Sequence, residues 1–236
     1  MTHMKQRGFT LVEIAIVLVI IGLLLGGILK GQELINSARV RNVADQVIGI
    51  QAAYYGFVDR YRAIPGDWGS GLASAAINGV ATGGDNDGRI ADATGQCAEV
   101  LAVWEHLSKA GFLTGRYNGG GTCPPGANTT DQAPRNAFNG FLAMSTNTDP
   151  TGQGTTAKLH LNTGNLIPIN IARELDVKLD DGVASQGALR GIGTGTAPAG
   201  TYVQSDAACV ANVGTPAVLT WNVASQSEDC AAAHLY

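Results

Sequence analysis

The sequence predicts an α+β protein. One long N-terminal α-helix, half membrane-spanning and half amphipathic, is expected to pack on a small antiparallel β-sheet head with additional helices. Two patterns lead to this fold class. Apolar residues follow helical spacing without a break up to Pro65. Beyond Pro65, short strand-like runs alternate with turns rich in glycine, proline and asparagine. The 236 residues are enough for one helical stalk and one head domain.

The helix is expected to begin with an apolar segment, residues 9–29, in which Glu13 is the only charged residue. At 1.5 Å per residue this segment spans about 30 Å, the thickness of a bilayer core. Lys5 and Arg7 precede it, so the positive-inside bias keeps the N terminus in the cytoplasm and sends the rest of the chain across the membrane. A carboxylate in a membrane helix costs about 2.5–3.5 kcal/mol, which makes Glu13 a candidate functional residue with an α-amino group as its expected partner.

The segment is too long for the core of a cleaved secretory signal peptide, and the small residue Gly8 precedes it instead of following it. The run Gly8-Phe9-Thr10-Leu11-Val12-Glu13 resembles the processing motif of type IV prepilins and of type II secretion pseudopilins, which form one filament-forming superfamily. The alternative is an ordinary single-span anchor that carries a stray glutamate.

The resemblance implies a pilin-like fold and several partners. A prepilin peptidase would cut between Gly8 and Phe9 and N-methylate Phe9, and an inner-membrane platform would assemble the subunits. Glu13 would pair with the Phe9 amine of a neighbouring pilin or pseudopilin subunit. At about 4 Å and an effective dielectric constant near 20, such a pair gains about 4 kcal/mol, which is comparable with the cost of burying the acid.

This topology divides the chain into four parts. Residues 1–8 are expected to be a basic leader that is removed, and residues 9–29 the membrane-spanning and assembly half of the helix. Residues 30–63 form its amphipathic half, and residues 64–236 form a periplasmic or extracellular head. Loss of the leader leaves 13 basic and 19 acidic residues, a net charge of −6. That balance, without a basic cluster, argues against direct binding of nucleic acid.

The amphipathic half carries one apolar stripe at alternating spacings of three and four residues. Its members are Val40, Val43, Val47, Ile50, Tyr54, Phe57 and Tyr61. The stripe predicts a continuous helix over residues 9–62, about 80 Å long, whose outer half is buried against the head.

Four glycines interrupt the membrane half: Gly22, Gly26, Gly27 and Gly31. Two interpretations stay open. Gly22 and Gly26 form a small-xxx-small pair that lets neighbouring helices approach closely. Alternatively, Gly26, Gly27 and Gly31 mark a stretch that unwinds in the filament.

The head is expected to begin with a turn-rich linker after Pro65. Helices are predicted over residues 97–113, with Thr94 as a cap, and over residues 170–179. Strands are predicted at residues 158–161, 188–192, 201–204 and 217–223, and surface loops at residues 115–130 and 145–156.

Four cysteines, Cys97, Cys123, Cys209 and Cys230, lie in the exported part of the chain. An oxidising compartment would pair them. Three connectivities are possible, of which the sequential one, Cys97 with Cys123 and Cys209 with Cys230, closes the shortest loops and is the one we favour. Each bond would stabilise the head by about 3 kcal/mol.

Asp85-Asn86-Asp87-Gly88 resembles the middle of a calcium loop. In an EF-hand register, however, Gly83 and Thr94 would occupy the first and twelfth positions, where acidic ligands are expected. We therefore predict a solvated Asx turn and no metal site here, and the same for Asp180-Asp181-Gly182.

No catalytic motif is evident and no cofactor is expected, so the sequence argues against an enzyme. Three functions stay open. The first is a structural subunit of a type IV pilus or related filament, located in the inner membrane and then in a periplasmic or surface filament. The second is a pseudopilin of a type II secretion system. The third is a membrane-anchored binding module.

Overall fold

The computed structural model describes residues 10–90, 98–121, 131–148, 157–192, 203, 205–213 and 218–236. It has the predicted α+β fold, with a long N-terminal helix, further helices and a small antiparallel sheet. The chain divides into two compact units, Met1–Arg39 and Val40–Tyr236, and the boundary falls within the long helix.

The long helix, α1, extends over Leu11–Tyr61 and agrees with the prediction within the described residues. In the second unit its predicted stripe is buried. The buried residues of α1 are Val40, Val43, Ala44, Val47, Ile50, Ala53, Tyr54 and Phe57, and Tyr61 is partly buried. The amphipathic half of α1 therefore supplies core side chains to the head, as its spacing predicts.

A tight turn follows α1 and contacts a later helix. Arg62 has a positive φ of 53°, and Pro65 and Gly66 are buried. Gly66 has φ +91°, and a Cβ at this position would lie 2.6 Å from the backbone oxygen of Glu99. Only glycine allows the chain to pass so close to that helix.

Three shorter α-helices follow within the described residues, along with two 3-10 helices at Ala207–Cys209 and Val223–Ser225. Helix α2, Ser70–Ala76, lies in the segment predicted to be a linker, so that prediction is wrong there. Its sequence SGLASAA has no side-chain cap and few large apolar residues, which explains why no helix was predicted. Helix α3, Ala98–Lys109, and helix α4, Ile169–Leu179, match the predicted helices, although α3 ends four residues earlier than expected. Thr94, its predicted cap, lies outside the described residues.

The main sheet has four antiparallel strands in the order β1-β2-β6-β3. They are β1 (Ala143–Thr148), β2 (Ala157–Asn162), β3 (Leu189–Gly191) and β6 (Ala232–Leu235). Strands β4 (Val210–Val213) and β5 (Val218–Trp221) form a separate antiparallel pair. Strands β2, β3 and β5 were predicted, whereas the strand predicted at residues 201–204 lies largely outside the described residues.

Strand β1 corrects the prediction of a surface loop at residues 145–156 for residues 145–148, and the rest of that prediction lies outside the described residues. Its sequence, AMSTNT, has few of the large apolar residues that mark a strand. The backbone is nevertheless paired with β2 in register, Ala143 opposite Asn162. Met144 and Ser145 are fully buried, so the neighbouring strand and the core beneath it determine the structure here.

The described residues of the head form two hydrophobic cores. One lies around Phe57, Trp104 and Leu107 and includes Met144 and Leu161 of the sheet. The other joins Val40 and Val43 of α1 to Ile171 and Leu175 of α4 and to Trp221. Helix α1 contributes to both cores and is therefore an integral part of the head fold from Val40 onward.

Candidate functional site

The beginning of α1 places Glu13 in a capping box. The Thr10 backbone N–H donates to Glu13 Oε2 at 2.8 Å, and the Glu13 N–H donates to Thr10 Oγ1 at 3.3 Å. The Thr10 hydroxyl also donates to Glu13 Oε2, at 2.9 Å. These reciprocal bonds satisfy N–H groups that the first helical turn leaves free. They use only Oε2, so Oε1 of Glu13 accepts no hydrogen bond from the described residues.

The segment of α1 that follows Glu13 exposes apolar side chains on all sides. Every leucine, isoleucine and valine between Leu11 and Leu29 is at least 46% exposed. The segment is long and apolar enough to cross a membrane. Large apolar surface of this kind requires lipid or another protein as its environment.

The four glycines of this segment leave open space on the helix surface. A Cβ at Gly22, Gly26, Gly27 or Gly31 would meet no atom within 4 Å, and α1 is continuous through all four positions. The room for close helix approach is therefore present. Unwinding at Gly26, Gly27 and Gly31 stays a prediction, because it concerns the assembled filament. Gly8 and Phe9 lie outside the described residues.

A second candidate site lies in the head, at the loop formed by residues 80–90. Asp85 and Asp87 form the predicted Asx turns, since Asp85 Oδ1 accepts from the Asp87 N–H at 3.0 Å and Asp87 Oδ1 accepts from the Arg89 N–H at 2.8 Å. The sequence did not reveal that Asp67 joins them. One carboxylate oxygen from each of the three aspartates lies within 4.8 Å of the others.

Asp67 belongs to the turn after α1 and is 5% exposed. Its Oδ2 accepts from the Gly88 N–H at 3.1 Å, and its backbone oxygen accepts from the Asn86 N–H at 3.0 Å. Its Oδ1 has no hydrogen-bond partner. Burial raises the pKa of the Asp67 carboxyl above its ordinary value, and the nearby charges of Asp87 and Asp85 raise it further.

Helix α3 anchors the same loop through three buried side chains. Glu105 accepts from the N–H groups of Ala81 and Thr82 at 3.2 and 3.0 Å, and Glu99 accepts from the Asp85 N–H at 3.1 Å. His106 Nδ1 accepts from the Gly66 N–H at 3.0 Å, which leaves Nε2 to donate to the Thr82 oxygen at 2.9 Å. Burial lowers the pKa of His106, in agreement with this neutral tautomer.

A second acidic group lies at the end of α4. Asp176 is fully buried, and its Oδ2 accepts from the Trp221 indole N–H at 2.7 Å. Asp180 and Asp181 are exposed, and one carboxylate oxygen of each lies within 4.8 Å of Asp176. Asp180 Oδ2 accepts from the N–H groups of Ala188 and Leu189. Burial raises the pKa of Asp176 to about 6, and the charges of Asp181 and Asp180 contribute to the rise.

The predicted bond between Cys209 and Cys230 is present, with a Cα–Cα distance of 5.7 Å. It connects the residue before β4 to the residues that precede β6. Both cysteines are fully buried. Cys97 and Cys123 lie outside the described residues.

One hydrogen-bonded pair resembles part of a catalytic arrangement. Ser145 Oγ lies 3.3 Å from His160 Nε2, and His160 Nδ1 lies 3.1 Å from the Lys158 carbonyl oxygen. Both side chains are fully buried, so no substrate has access to the hydroxyl. The pair instead connects β1 to β2 in the interior.

Comparison with known proteins identifies the N-terminal segment. Residues 3–29 match the family model of the prokaryotic N-terminal methylation motif, the signature of type IV prepilin-like and pseudopilin-like proteins. This motif implies processing by a prepilin peptidase and assembly with other pilin-like subunits. Together with the apolar helix it fits a pilin-like protein anchored in the inner membrane. No curated protein and no solved structure matches the chain.

Proposed function

We propose that this chain is a structural subunit of a type IV pilus or related filament. It is inserted in the inner membrane with its N terminus in the cytoplasm, cleaved after Gly8, N-methylated at Phe9 and polymerised through α1. The role is architectural and not enzymatic. The supporting observation is the exposed apolar surface of residues 11–29, which carries the methylation motif and a single acid, Glu13.

The hydrogen bonds of Glu13 support this role. Within the described chain the carboxylate is bonded only to Thr10, and only through Oε2. A carboxylate has two oxygens with about four lone-pair sites, so Oε1 is available to an amine from another subunit. An ammonium at about 4 Å would offset the cost of placing the acid in an apolar environment. Correctly aligned neighbours are therefore favoured over misaligned ones.

The central experiment removes the charge of Glu13. We expect Glu13→Val and Glu13→Gln to insert in the membrane at wild-type levels and to lose at least about 90% of the sheared filament, because about 4 kcal/mol of pairing corresponds to a large factor in assembly. Glu13→Gln tests the charge specifically, since the glutamine side-chain oxygen can still accept from Thr10.

Glu33→Gln is the matched control. Glu33 is another acid on α1, exposed, and paired with Lys30 at 2.6 Å. An exposed pair of this kind contributes little, so filament yield should be unchanged. Wild-type filament yield from Glu13→Gln would contradict the pairing. Normal function without filaments would favour the membrane-anchored binding module.

For a pilus subunit and for a pseudopilin alike, the mature protein should begin at a methylated Phe9. Two further observations separate these two kinds of filament. Long surface filaments at native expression identify a pilus subunit. Confinement to the periplasm with a defect in protein export identifies a pseudopilin of a type II secretion system.

A further inference from the structure

We propose that Asp67, Asp85 and Asp87 form a calcium site that fastens the loop of residues 80–90 to the turn after α1. The site belongs to the head and is independent of the assembly role proposed for α1. It also revises the prediction of a solvated Asx turn, because that prediction considered only Asp85 and Asp87.

The first reason is an unsatisfied buried oxygen. Asp67 is 95% shielded from solvent, and its Oδ1 has no hydrogen-bond partner. A buried carboxylate oxygen without a partner is costly, since it loses its water and gains nothing in return. Its other oxygen accepts from Gly88 of the same loop, so the carboxylate lies at the loop. A cation bound between this oxygen and the loop would remove that cost.

The second reason is charge. Asp85 and Asp87 place two exposed carboxylates beside Asp67, and no ion pair with a lysine or arginine compensates any of the three within the described chain. Their mutual repulsion opposes the closed loop. Burial and these two neighbouring charges raise the pKa of Asp67, as expected for a carboxylate that no positive charge compensates.

The ligand type favours calcium. One carboxylate oxygen from each aspartate lies within 4.8 Å of the other two, close enough for one ion to bind all three. Calcium accepts carboxylate oxygens in a flexible geometry. Magnesium requires near-ideal octahedral geometry and keeps several of its waters, and zinc prefers nitrogen and sulfur ligands. Three carboxylates in a largely exposed loop correspond to a Kd of about 10⁻⁴–10⁻³ M, as in extracellular calcium modules.

The other acidic group also contains a buried oxygen without a hydrogen-bond partner, Asp176 Oδ1. It differs in that more N–H groups already donate to its three carboxylates. Four donors already bind its carboxylates, from Trp221, Ala188, Leu189 and Val183. At Asp67, Asp85 and Asp87 only three backbone N–H groups do so. This second group provides the matched control.

The test uses the full-length chain in detergent micelles, stripped of metal with a chelator. Trp68, Trp104 and Trp221 are the three tryptophans and all lie in the head, so tryptophan fluorescence reports its thermal unfolding. Calcium chloride at about one hundred times Kd should raise the midpoint by about 5–10 °C relative to chelator. Magnesium chloride at the same concentration should have a smaller effect.

Single aspartate-to-asparagine substitutions test where the calcium ion binds. Asp85→Asn and Asp87→Asn change exposed residues, and each should weaken the calcium response at least about tenfold in concentration. Asp181→Asn, in the other acidic group, should keep the full response. Terbium luminescence excited through tryptophan should follow the same order and should be displaced by calcium.

Asp67→Asn separates a metal ligand from a purely structural residue. Without calcium its midpoint should equal or exceed that of the wild type, because the amide keeps the bond from Gly88 and removes a buried charge. With calcium it should not rise. The proposal is wrong if calcium leaves the wild-type midpoint unchanged, if Asp85→Asn and Asp87→Asn keep the full response, or if Asp181→Asn abolishes it. Filament formation is not measured, so these outcomes leave the proposed assembly role untouched.

Discussion

Two buried aspartates of the head, Asp67 and Asp176, have the same kind of environment. In each, Oδ2 accepts from one N–H donor and Oδ1 has no hydrogen-bond partner. Neither forms an ion pair with a described lysine or arginine, and each lies beside two other aspartates. Burial and like charges therefore favour the protonated form at both positions.

Asp176 makes the stability of the head depend on pH in a defined window. Its pKa is about 6 in the folded protein, against 3.8 as the ordinary value. Between these values the folded state binds more protons than the unfolded state, so this group lowers the stability as the pH rises from about 4 to about 6. Above pH 6 the contribution of Asp176 no longer changes, and the free energy of unfolding is then about 3 kcal/mol lower than at pH 4 on account of this group.

We expect Asp176→Asn to remove this contribution. The asparagine oxygen can still accept from the Trp221 indole, so the packing of the second core is retained. Denaturant unfolding in chelator at pH 4, 5, 6 and 7 should show the variant gaining stability over the wild type as the pH rises. Comparing the two proteins at each pH cancels the titration of other groups, such as His106. A difference that does not change with pH would contradict the assignment.

At the scale of single elements, a prediction succeeded where the buried residues of an element form a long apolar repeat, and it failed where they do not. The stripe from Val40 to Tyr61 repeats over many turns, so its period identified α1 and its buried face. Strand β6 contains two fully buried alanines, Ala232 and Ala233, which have no strand preference of their own. It is a strand because β2 and β3 pair with it on both sides, and such pairing does not appear in the local sequence.

The end of α3 is set by a local rule that the sequence does contain. Gly111 has φ +82°, the Phe112 N–H donates to the Leu107 oxygen and the Gly111 N–H donates to the Ser108 oxygen, which together form a Schellman motif. The predicted helix extended to residue 113 and so passed over this glycine. The contacts of α3 with the loop of residues 80–90 depend on charged side chains and were not predictable from its apolar face.

A pair of glycine substitutions tests this local rule. A Cβ at Gly111 or at Gly71 would meet no atom within 4 Å, so neither change creates a clash. Gly111→Ala should lower the free energy of unfolding by about 1–2 kcal/mol, because alanine disfavours the left-handed conformation. Gly71→Ala, within α2, should raise it by about 0.5–1 kcal/mol. Denaturant unfolding measures both, and equal signs would contradict the backbone argument.

At the scale of the whole molecule, the candidate sites differ in how far apart their residues lie in the chain. The assembly segment is contiguous, so its motif and Glu13 were evident from the sequence. The aspartate group combines Asp67 with Asp85 and Asp87, which are separated from it by α2. Only the folded head brings them together, through the hydrogen bonds of Gly84 and Asn86 to the turn after α1. Sequence spacing alone therefore suggested an incomplete calcium loop.

The division of the chain at Val40 predicts where it can be cut. A fragment of residues 40–236 keeps every buried side chain of α1, so we expect it to remain soluble without detergent and to unfold cooperatively. A fragment of residues 52–236 loses the buried side chain of Ala44 and four larger buried side chains, those of Val40, Val43, Val47 and Ile50. At about 2 kcal/mol for each of the four larger side chains, this loss approaches the whole stability of a typical domain.

Both fragments are to be produced in an oxidising compartment, so that the bond between Cys209 and Cys230 forms in each. A third fragment, residues 38–236, is the length control and should come within about 1 kcal/mol of the stability of residues 40–236, because interactions of exposed side chains such as Arg39 contribute little. Denaturant unfolding followed by tryptophan fluorescence compares the three. If residues 52–236 unfold at the same denaturant concentration as residues 40–236, α1 is a detachable stalk. If they are largely unfolded without denaturant, the helix proposed to drive assembly is also an integral element of the head.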